Sequence, residues 1–288
     1  MTNCIICHTK PEFAFQKHGY TILVCPHCGL YQTLLPGSYR QLLKTYYAKG
    51  YFTGSLNRAG YANYVADSSV IYRNAQGYLN LIDRHRLIGR RLLDVGCATG
   101  IFLQAARHRG FRVTGIDASK YAVNLAQKIF GHQVKLGTLS TVKFSPQSFD
   151  ILTLFDVFEH LHDPLKDIRH CHQLLKTGGL LVINTGNTHS FLAKLEKARW
   201  HFFIPPQHLF FYSDTNLKQL LHLNGFKTLA VYNTGKYISL RYLWHLMRTI
   251  NHSKLADILY RLFHNTFIGK FSVYLNLRDN MTIIAKKV

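Results

Sequence analysis

Acidic residues are scarce in this sequence of 288 residues, which holds 14 Asp and Glu against 35 Lys and Arg and so carries a formal net charge of +21. It also lacks internal repeats and low-complexity tracts, and 47% of its residues are hydrophobic. This composition excludes a disordered tail protein and a collagen-like repeat. The basic excess favours an anionic partner such as nucleic acid, an acidic membrane surface or an acidic substrate. Because no run reaches five like charges, a generally basic proteome explains the excess equally well.

Targeting and membrane-spanning signals are also missing. The N-terminus has no basic segment followed by an apolar stretch, so we expect no signal peptide. No uninterrupted apolar run approaches the length needed to cross a bilayer. We therefore expect a cytoplasmic protein with reduced thiols, and this excludes a disulfide scaffold.

Four of the six cysteines fall within the first 28 residues, as Cys4-x2-Cys7 and Cys25-x2-Cys28. Two such pairs predict a Zn²⁺ site, since each pair can turn two thiolates towards one ion. Closure by four cysteines leaves no open coordination position, so the zinc would be structural. It would stabilise a module that is too small to fold on its own core. The alternative is two coincidental pairs of buried thiols.

The sequence divides into three predicted parts. Residues 1–35 form a zinc-ribbon-like module with a strand at Tyr20–Val24, and residues 36–88 form an aromatic-rich helical linker or lid with a helix near 67–87. Residues 89–288 form the core, interrupted by an insert at 235–278 that has helical periodicity.

Short apolar strands alternate with helical patterns through the core, which predicts an α/β fold with a parallel sheet covered by helices on both faces. The predicted strands are Arg91–Val95, Arg112–Asp117, Gln133–Gly137, Phe149–Asp156, Leu180–Thr185, 226–232 and Met281–Ala285. The predicted helices lie near 100–109, 119–130, 163–176 and 214–223.

A glycine-rich turn follows the first core strand, in the run Asp-Val-Gly-Cys-Ala-Thr-Gly from Asp94 to Gly100. Ligands of open α/β sheets bind at the carboxyl ends of strands, and Gly96 and Gly100 would let the backbone approach a bound small molecule. The next strand ends in Asp117, where a carboxylate can accept both hydroxyls of a ribose. The turn lacks the third glycine of a dinucleotide-binding fingerprint.

This turn resembles that of the class I S-adenosylmethionine-dependent methyltransferases, D/E-x-G-x-G-x-G, with Ala98 in place of the middle glycine. Three further runs match the family in order: DVFEHLHDP from Asp156, LLKTGG from Leu174, and PPQHLFFYS from Pro205. The resemblance covers about 90–232 and the last strand. It implies a Rossmann-like seven-stranded sheet and S-adenosylmethionine as the methyl donor.

The resemblance also implies roles for individual residues. Gly96, Ala98 and Gly100 would admit the methionine part of the cofactor, and Asp94 would help to hold its amino group, although capping of the turn is the alternative. Asp117 would take the ribose hydroxyls, and Asp156 would face the cofactor and the substrate. The third strand ends in Gly137-Thr138 without the acidic residue of many relatives, so the adenine contacts must come from Thr138, backbone groups or elsewhere.

Two histidines are candidates for a general base that removes a proton from the methyl acceptor, namely His160 and His208. The alternative for His160 is a hydrogen-bonded loop residue. Aromatic residues of the linker could form a lid that excludes water, or could simply pack the helices; they are Tyr51, Phe52, Tyr61 and Tyr64.

The insert at 235–278 has apolar residues at helical spacing with basic residues between them, which predicts amphipathic helices. Such helices could cap the substrate pocket, bind a partner, rest on an anionic membrane surface or pack on the core.

The leading functional hypothesis is a methyltransferase that acts on a small-molecule or carrier-linked metabolite. The alternative is an RNA methyltransferase of the ribosomal-RNA type, since some of these enzymes carry a zinc ribbon before the same core. A non-catalytic scaffold that recruits a partner through its zinc ribbon and insert is the third hypothesis.

Overall fold

The computed structural model describes residues 3–39, 41–42, 49–53, 63–249 and 253–288. The strands in these ranges are β1 (Glu12–Lys17), β2 (Tyr20–Val24), β3 (Tyr31–Thr33), β4 (Arg91–Val95), β5 (Arg112–Asp117), β6 (Val134–Leu136), β7 (Phe149–Phe155), β8 (Leu175–Gly186), β9 (Phe210–Phe211), β10 (Phe226–Asn233), β11 (Lys236–Ser239), β12 (Ser272–Leu275) and β13 (Asn280–Lys287). The helices are α1 (Lys49–Thr53), α2 (Ser68–Asp83), α3 (Ile101–His108), α4 (Lys120–Phe130), α5 (Pro164–Leu174), α6 (Phe191–Glu196), α7 (Asp214–Leu223), α8 (Leu240–Thr249), α9 (Lys254–Phe263) and α10 (Phe267–Lys270).

The core is a seven-stranded sheet in the order β10-β13-β8-β7-β4-β5-β6, which confirms the predicted α/β fold. The sheet is mixed and not wholly parallel, because β13 runs antiparallel to both of its neighbours. The reason lies in the connection from β10. The chain leaves β10 at the carboxyl edge, forms the insert there and re-enters the sheet from that same edge, so the returning strand runs the other way.

The central strands are buried on both faces because helices cover each side of the sheet. Alternate residues of β4, β7 and β8 therefore belong to two separate apolar clusters. One cluster includes Leu93, Leu152, Leu154, Leu181 and Ile183. The other includes Leu92, Ile151, Leu180 and Val182. This packing fixes the strand ends that carry the site.

The cysteine module is an antiparallel sheet of β1, β2 and β3, of which only β2 was predicted. Its edge strand β3 pairs with β9 of the core, so that one four-stranded sheet contains both parts of the chain. The Thr33 hydroxyl donates a hydrogen bond of 2.7 Å to the backbone carbonyl of His208. Asn216 on α7 donates its side-chain amide to the carbonyl of Cys28 at 3.3 Å. The module is thus fastened directly to the segment that carries His208.

The insert differs from its predicted helical form. It contains α8, α9 and α10, but these helices are enclosed by a hairpin in which β11 pairs antiparallel with β12. Because it leaves and rejoins the core at the carboxyl edge of the sheet, the insert stands beside the strand ends. Among the described residues, no helix combines the length and the apolar character needed to cross a bilayer.

The predicted helix near 67–87 is present as α2, and the short helix α1 precedes it. Of the aromatic residues proposed for the lid, Tyr51, Phe52 and Tyr64 are described, whereas Tyr61 lies outside the described residues.

Candidate active site

A cavity of about 710 Å³ opens at the carboxyl ends of β4, β5 and β7. It lies where the strand order reverses, since the chain runs outwards from β4 to β6 and then returns to β7 on the other side of β4. Such switch points are the usual binding positions of open α/β sheets. The cavity gathers most of the candidate residues that are far apart in sequence, namely Asp94, Gly96, Ala98, Asp117, Asp156, His160 and His208.

The turn after β4 depends on three residues with positive φ, which are Gly96 at +74°, Ala98 at +47° and Gly100 at +84°. A Cβ on Gly96 would collide with the side chain of Val157, so this position needs glycine for space as well as for conformation. A Cβ on Gly100 would lie 2.8 Å from the ring of Phe130 at the end of α4. The structure therefore gives Gly100 a packing role between α3 and α4.

Asp117 accounts for the left-handed conformation of Ala98. Its Oδ2 accepts a hydrogen bond of 2.8 Å from the backbone N–H of Ala98, and its Oδ1 accepts one of 2.7 Å from Ser119. Burial raises the pKa of Asp117, and these two hydrogen bonds oppose the rise. The carboxylate thus ties the ends of β4 and β5 together at the floor of the cavity.

Asp94 is buried at the end of β4, and its Oδ1 accepts a hydrogen bond of 2.6 Å from the hydroxyl of Thr153 on β7. Burial raises the pKa of this carboxyl to about 7, with a further contribution from the charge of Asp117. A cationic ligand group beside Asp94 would favour the ionised form.

These residues fit S-adenosylmethionine. The glycine turn lets the backbone approach a ligand, Asp94 offers a buried carboxylate for an ammonium group, and Asp117 offers one for a ribose. Gly137 and Thr138 line the same cavity beyond β6, where the adenine contacts were predicted. The cavity therefore suits a nucleoside that carries a cationic group, and such a ligand has no phosphate to bind.

Asp156 follows β7 in the left-handed conformation, with φ of +55°. Both of its carboxylate oxygens lie 2.6 Å from Nζ of Lys236, which stands on β11 of the insert. Burial lowers the pKa of Lys236, but the charge and hydrogen bond of Asp156, together with Tyr78 and Glu159, outweigh this effect, so the pKa is raised and the lysine stays protonated. This ion pair joins the insert to the wall of the cavity.

Three side chains that line the same cavity, Glu159, His160 and His208, form a polar cluster. Each offers one ligand atom, and these atoms all lie within 4.8 Å of one another, a spacing that can hold a shared proton or a small cation. The two histidine rings stand edge to face, 4.7 Å apart. Burial raises the pKa of Glu159 to about 8, with a further contribution from Asp156.

The two histidines are oriented by backbone carbonyls. Nδ1 of His160 lies 2.8 Å from the carbonyl oxygen of Gln207, and Nδ1 of His208 lies 2.7 Å from that of Phe202. Each Nδ1 must carry the proton to donate these bonds, so the Nε2 atom of neutral His208 holds a lone pair. Burial lowers the pKa of both rings, most strongly for His208.

Aromatic rings form part of the cavity wall and pack close to the glycine turn, since Phe52 and Tyr64 share a cluster with Ile101 and Ala98. Phe52 stands edge to face against Tyr51 and Tyr64, with ring centres 5.1 Å and 5.6 Å apart. Tyr78 stacks on Phe155 at 4.2 Å. All five rings line the cavity. The rings of the linker therefore both pack against one another and cover the cavity, so the two predicted alternatives hold together.

Two residues of the site were missed as candidates. Glu159 belongs to the matched run after β7, and its burial could have been inferred from the apolar residues around it. Lys236 lies 80 residues after Asp156 in a segment predicted as helical, and no local pattern marks it as a partner of that carboxylate.

The four cysteines of the N-terminal module lie together. Their sulfur atoms are all within 4.8 Å of one another, with 3.5 Å between Cys4 and Cys28 and 3.3 Å between Cys7 and Cys25. Four thiolates around one Zn²⁺ stand about 3.8 Å apart for Zn–S bonds of about 2.3 Å, so the cluster fits a structural zinc. The hydrogen bond between the thiols of Cys4 and Cys28 lowers the pKa of Cys4 and raises that of Cys28.

Both cysteine pairs end in the same backbone turn. The N–H of His8 bonds the carbonyl of Cys4, and the N–H of Gly29 bonds that of Cys25, with both residues at positive φ. His8 is exposed at its turn, so the four thiols alone form the cluster.

Known proteins are similar to this chain over the methyltransferase core. A family model described as a methyltransferase domain matches residues 64–231, which is more than half of the chain. The ubiquinone biosynthesis O-methyltransferase of Pseudomonas syringae pv. tomato is 36% identical over 119 residues, covering 38% of this chain and 50% of its own length. That of Marinobacter nauticus is 28% identical over 197 residues, covering 59% of this chain and 83% of its own length. The chain thus spans about half the length of the first curated relatives that it matches.

Solved structures share the fold. An S-adenosylmethionine-dependent methyltransferase from Archaeoglobus fulgidus has a TM-score of 0.51 at 19% identity, covering 76% of this chain and 94% of its own. One from Thermotoga maritima has a TM-score of 0.50 at 17% identity, covering 77% and 92%. The family match, the strand order and the carboxylates around the glycine turn agree, and the chain belongs to the class I S-adenosylmethionine-dependent methyltransferases.

Proposed function

We propose that this enzyme transfers a methyl group from S-adenosylmethionine to a small molecule or a carrier-linked metabolite. The observation that carries the proposal is that one cavity is lined both by the predicted donor residues and by the cluster of Glu159, His160 and His208. The names of the curated relatives, ubiquinone biosynthesis O-methyltransferases, support a small acceptor that is methylated on oxygen.

The donor side holds its ligand through carboxylates and backbone. When bound, S-adenosylmethionine supplies an electrophilic methyl group on a sulfonium. In the proposed site, Asp94 holds an ammonium group, Asp117 holds ribose hydroxyls, and Gly96 and Ala98 leave room for the ligand beside the turn. Positioning of the two reactants contributes much of the rate in a displacement of this kind.

The acceptor side supplies a base and excludes water. His208 is neutral because burial lowers its pKa, so its Nε2 lone pair can take a proton from an acceptor hydroxyl. In this proposal His160 stands against His208 and keeps it in place, while the rings of Phe52 and Tyr64 close the cavity to water. The proposed zinc on the four cysteines is structural and lies outside the reaction.

Calorimetry with S-adenosylmethionine and with S-adenosylhomocysteine tests the donor site, using zinc-loaded protein. We expect one ligand per chain and loss of at least about tenfold in affinity for the variant Asp117→Asn, since hydrogen bonds to a charged group contribute about 1.5–3 kcal/mol. Absence of binding by the loaded wild-type protein would overturn the proposal.

The acceptor class is tested by methyl transfer to a panel of phenols, amines and carrier-linked acids, with ribosomal RNA as the competing acceptor. Small-molecule turnover supports the proposal. RNA remains the second candidate acceptor because of the net charge of +21. If the enzyme methylates RNA alone, and RNA binding depends steeply on salt, the acceptor is RNA and the small-molecule proposal is wrong.

A further inference from the structure

The insert presents an apolar stripe to solvent on helix α9. Leu255, Ile258 and Leu262 are 66%, 54% and 62% exposed, whereas Ala256 on the opposite side is buried against the rest of the insert. The three exposed residues have the spacing i, i+3 and i+7, which places them along one side of the helix. An apolar stripe of this kind, which no element among the described residues covers, is unusual for a surface helix.

Helix α10 extends the apolar surface. Its Phe267 is 73% exposed and packs its ring 4.6 Å from that of Phe271, which is also exposed. The two helices are in close contact, because a Cβ on Gly269 of α10 would meet the backbone carbonyl of Phe263 at the end of α9. Because α9 and α10 are in contact, we group their exposed apolar residues as the insert face, defined as Leu255, Ile258, Leu262, Phe267 and Phe271.

The cavity opens beside this surface. Met247 at the end of α8, Leu275 at the end of β12 and Leu277 just after it line the cavity and are also exposed to solvent. The path from the outside of the molecule to the cavity is consequently apolar along the insert.

The charge around the insert face is positive. The exposed bases are Lys254, Arg261, Lys270 and Arg278. The acidic residue of the described insert, Asp257, is held by Arg248 at 3.5 Å and by Arg261 at 2.8 Å. A second copy of the chain would bring like charges together across this face. RNA would satisfy the bases but leave the apolar stripe in water, whereas an anionic bilayer matches both.

We propose that the insert face docks on the surface of an anionic lipid membrane, with α9 lying in the interface and the mouth of the cavity turned towards the lipid. This docking goes beyond the proposed methyl transfer and does not require it. Apolar side chains would enter the acyl region, and the flanking lysines and arginines would contact anionic headgroups.

Co-sedimentation with vesicles tests the docking, comparing phosphatidylcholine alone with phosphatidylcholine that contains phosphatidylglycerol. We expect binding to the anionic vesicles that weakens as salt rises. The variant Leu255→Gln/Ile258→Gln/Leu262→Gln should bind at least about tenfold more weakly, and Lys254→Gln/Lys270→Gln should lose the preference for anionic lipid. Glutamine keeps the helix propensity and the variants leave the cavity unchanged.

The matched control is Ile129→Gln/Leu223→Gln, which removes two equally exposed apolar residues from α4 and α7 and should leave vesicle binding unchanged. Calorimetry with S-adenosylmethionine reports separately on the fold and on the proposed function of every variant. Absence of sedimentation with anionic vesicles would overturn the docking, and so would equal sedimentation of the triple variant and the wild type. A dimer or an RNA complex that the triple variant abolishes, in a protein that does not bind vesicles, would overturn it as well.

Discussion

At the scale of single residues, the site keeps a carboxyl group in an environment that disfavours its charge. Asp94 is buried and its pKa is raised to about 7, from a usual value of 3.8. Between these two values the folded protein holds a proton that the unfolded chain releases, so stability falls as pH rises through this window. Above pH 7 this raised pKa lowers the free energy of unfolding by about 4 kcal/mol.

Replacement of Asp94 by asparagine should therefore stabilise the ligand-free protein and weaken donor binding. The amide keeps an oxygen for the Thr153 hydroxyl but carries no charge to desolvate. Urea denaturation should show a gain that is small at pH 4, grows to pH 7 and then levels off, while calorimetry shows a loss of more than about tenfold in S-adenosylmethionine affinity. A gain that is constant with pH would show that Asp94 is not held neutral.

The proposed base is tested by His208→Asn. The asparagine amide can still donate to the carbonyl of Phe202, so the loop keeps its anchor while the Nε2 lone pair is lost. We expect kcat to fall by about 100-fold or more, with an unchanged Kd for S-adenosylmethionine. The surface variant His222→Asn is the control, and a kcat of His208→Asn within threefold of wild type would remove His208 from the chemistry.

At the scale of elements, one ion pair connects the insert to the core sheet. Lys236 on β11 reaches Asp156 at the end of β7, and the buried pair of Arg241 on α8 and Asp67 before α2 adds a second connection at 2.7 Å. These two ion pairs, together with the hydrogen bonds between Asn74 of α2 and the backbone of Tyr237, hold the insert over the cavity. Removal of one partner of such a pair leaves the other charge without compensation.

A double-mutant cycle of Lys236→Met and Asp156→Asn measures the first connection. We expect Lys236→Met alone to lower the free energy of unfolding by about 1–2 kcal/mol, and the double variant to lose less than the sum of the single losses. Urea denaturation gives each value, with the exposed Lys286→Met on β13 as the control. Strict additivity would mean that the contact makes no contribution to stability.

Sequence patterns locate the elements whose signals are local. The bounds of β4, β5 and α7 agree with the prediction because the signals that define them are local. Apolar runs mark the two strands, a glycine turn follows β4, and the capping box of Ser213 and Asn216 begins α7. The short strand β9 and the hairpin of β11 and β12 depend on partners far away in sequence, and this is why they were missed. The same reason explains which site residues could be predicted. Asp94 and Asp117 belong to a turn that the local sequence reveals, whereas Lys236 reaches the site only because the fold brings β11 next to Asp156.

At the scale of the whole molecule, the cysteine module supports the acceptor side of the cavity. Thr33 bonds the backbone of His208 and of Leu209, and Lys17 donates to the carbonyl of Trp200 at 2.9 Å. Ile22 of β2 packs in one cluster with Trp200, Phe203 and Phe211. The segment 200–213 is consequently held between the module and the core.

Loss of the proposed zinc should therefore impair acceptor turnover more than donor binding. We expect one Zn²⁺ per chain by elemental analysis, and none in the variant Cys25→Ser/Cys28→Ser. This variant should lose about 100-fold or more in kcat/KM, because His208 is no longer positioned, while its affinity for S-adenosylmethionine falls by less than about threefold. Lys10→Ser, at an exposed position of the same module, is the control. Equal losses in donor binding would show that the module supports the whole fold instead.

The pairing of β3 with β9 decides how the molecule can be divided. Two core residues, Phe210 and Phe211, complete the sheet of the module, so the break between the two parts runs through a hydrogen-bonded ladder. A core fragment without the module would present a bare strand edge next to the apolar side chains of Leu209 and Phe211, which invites aggregation. Engineers who exchange or delete the cysteine module should expect insoluble protein unless they cap β9 with a replacement strand.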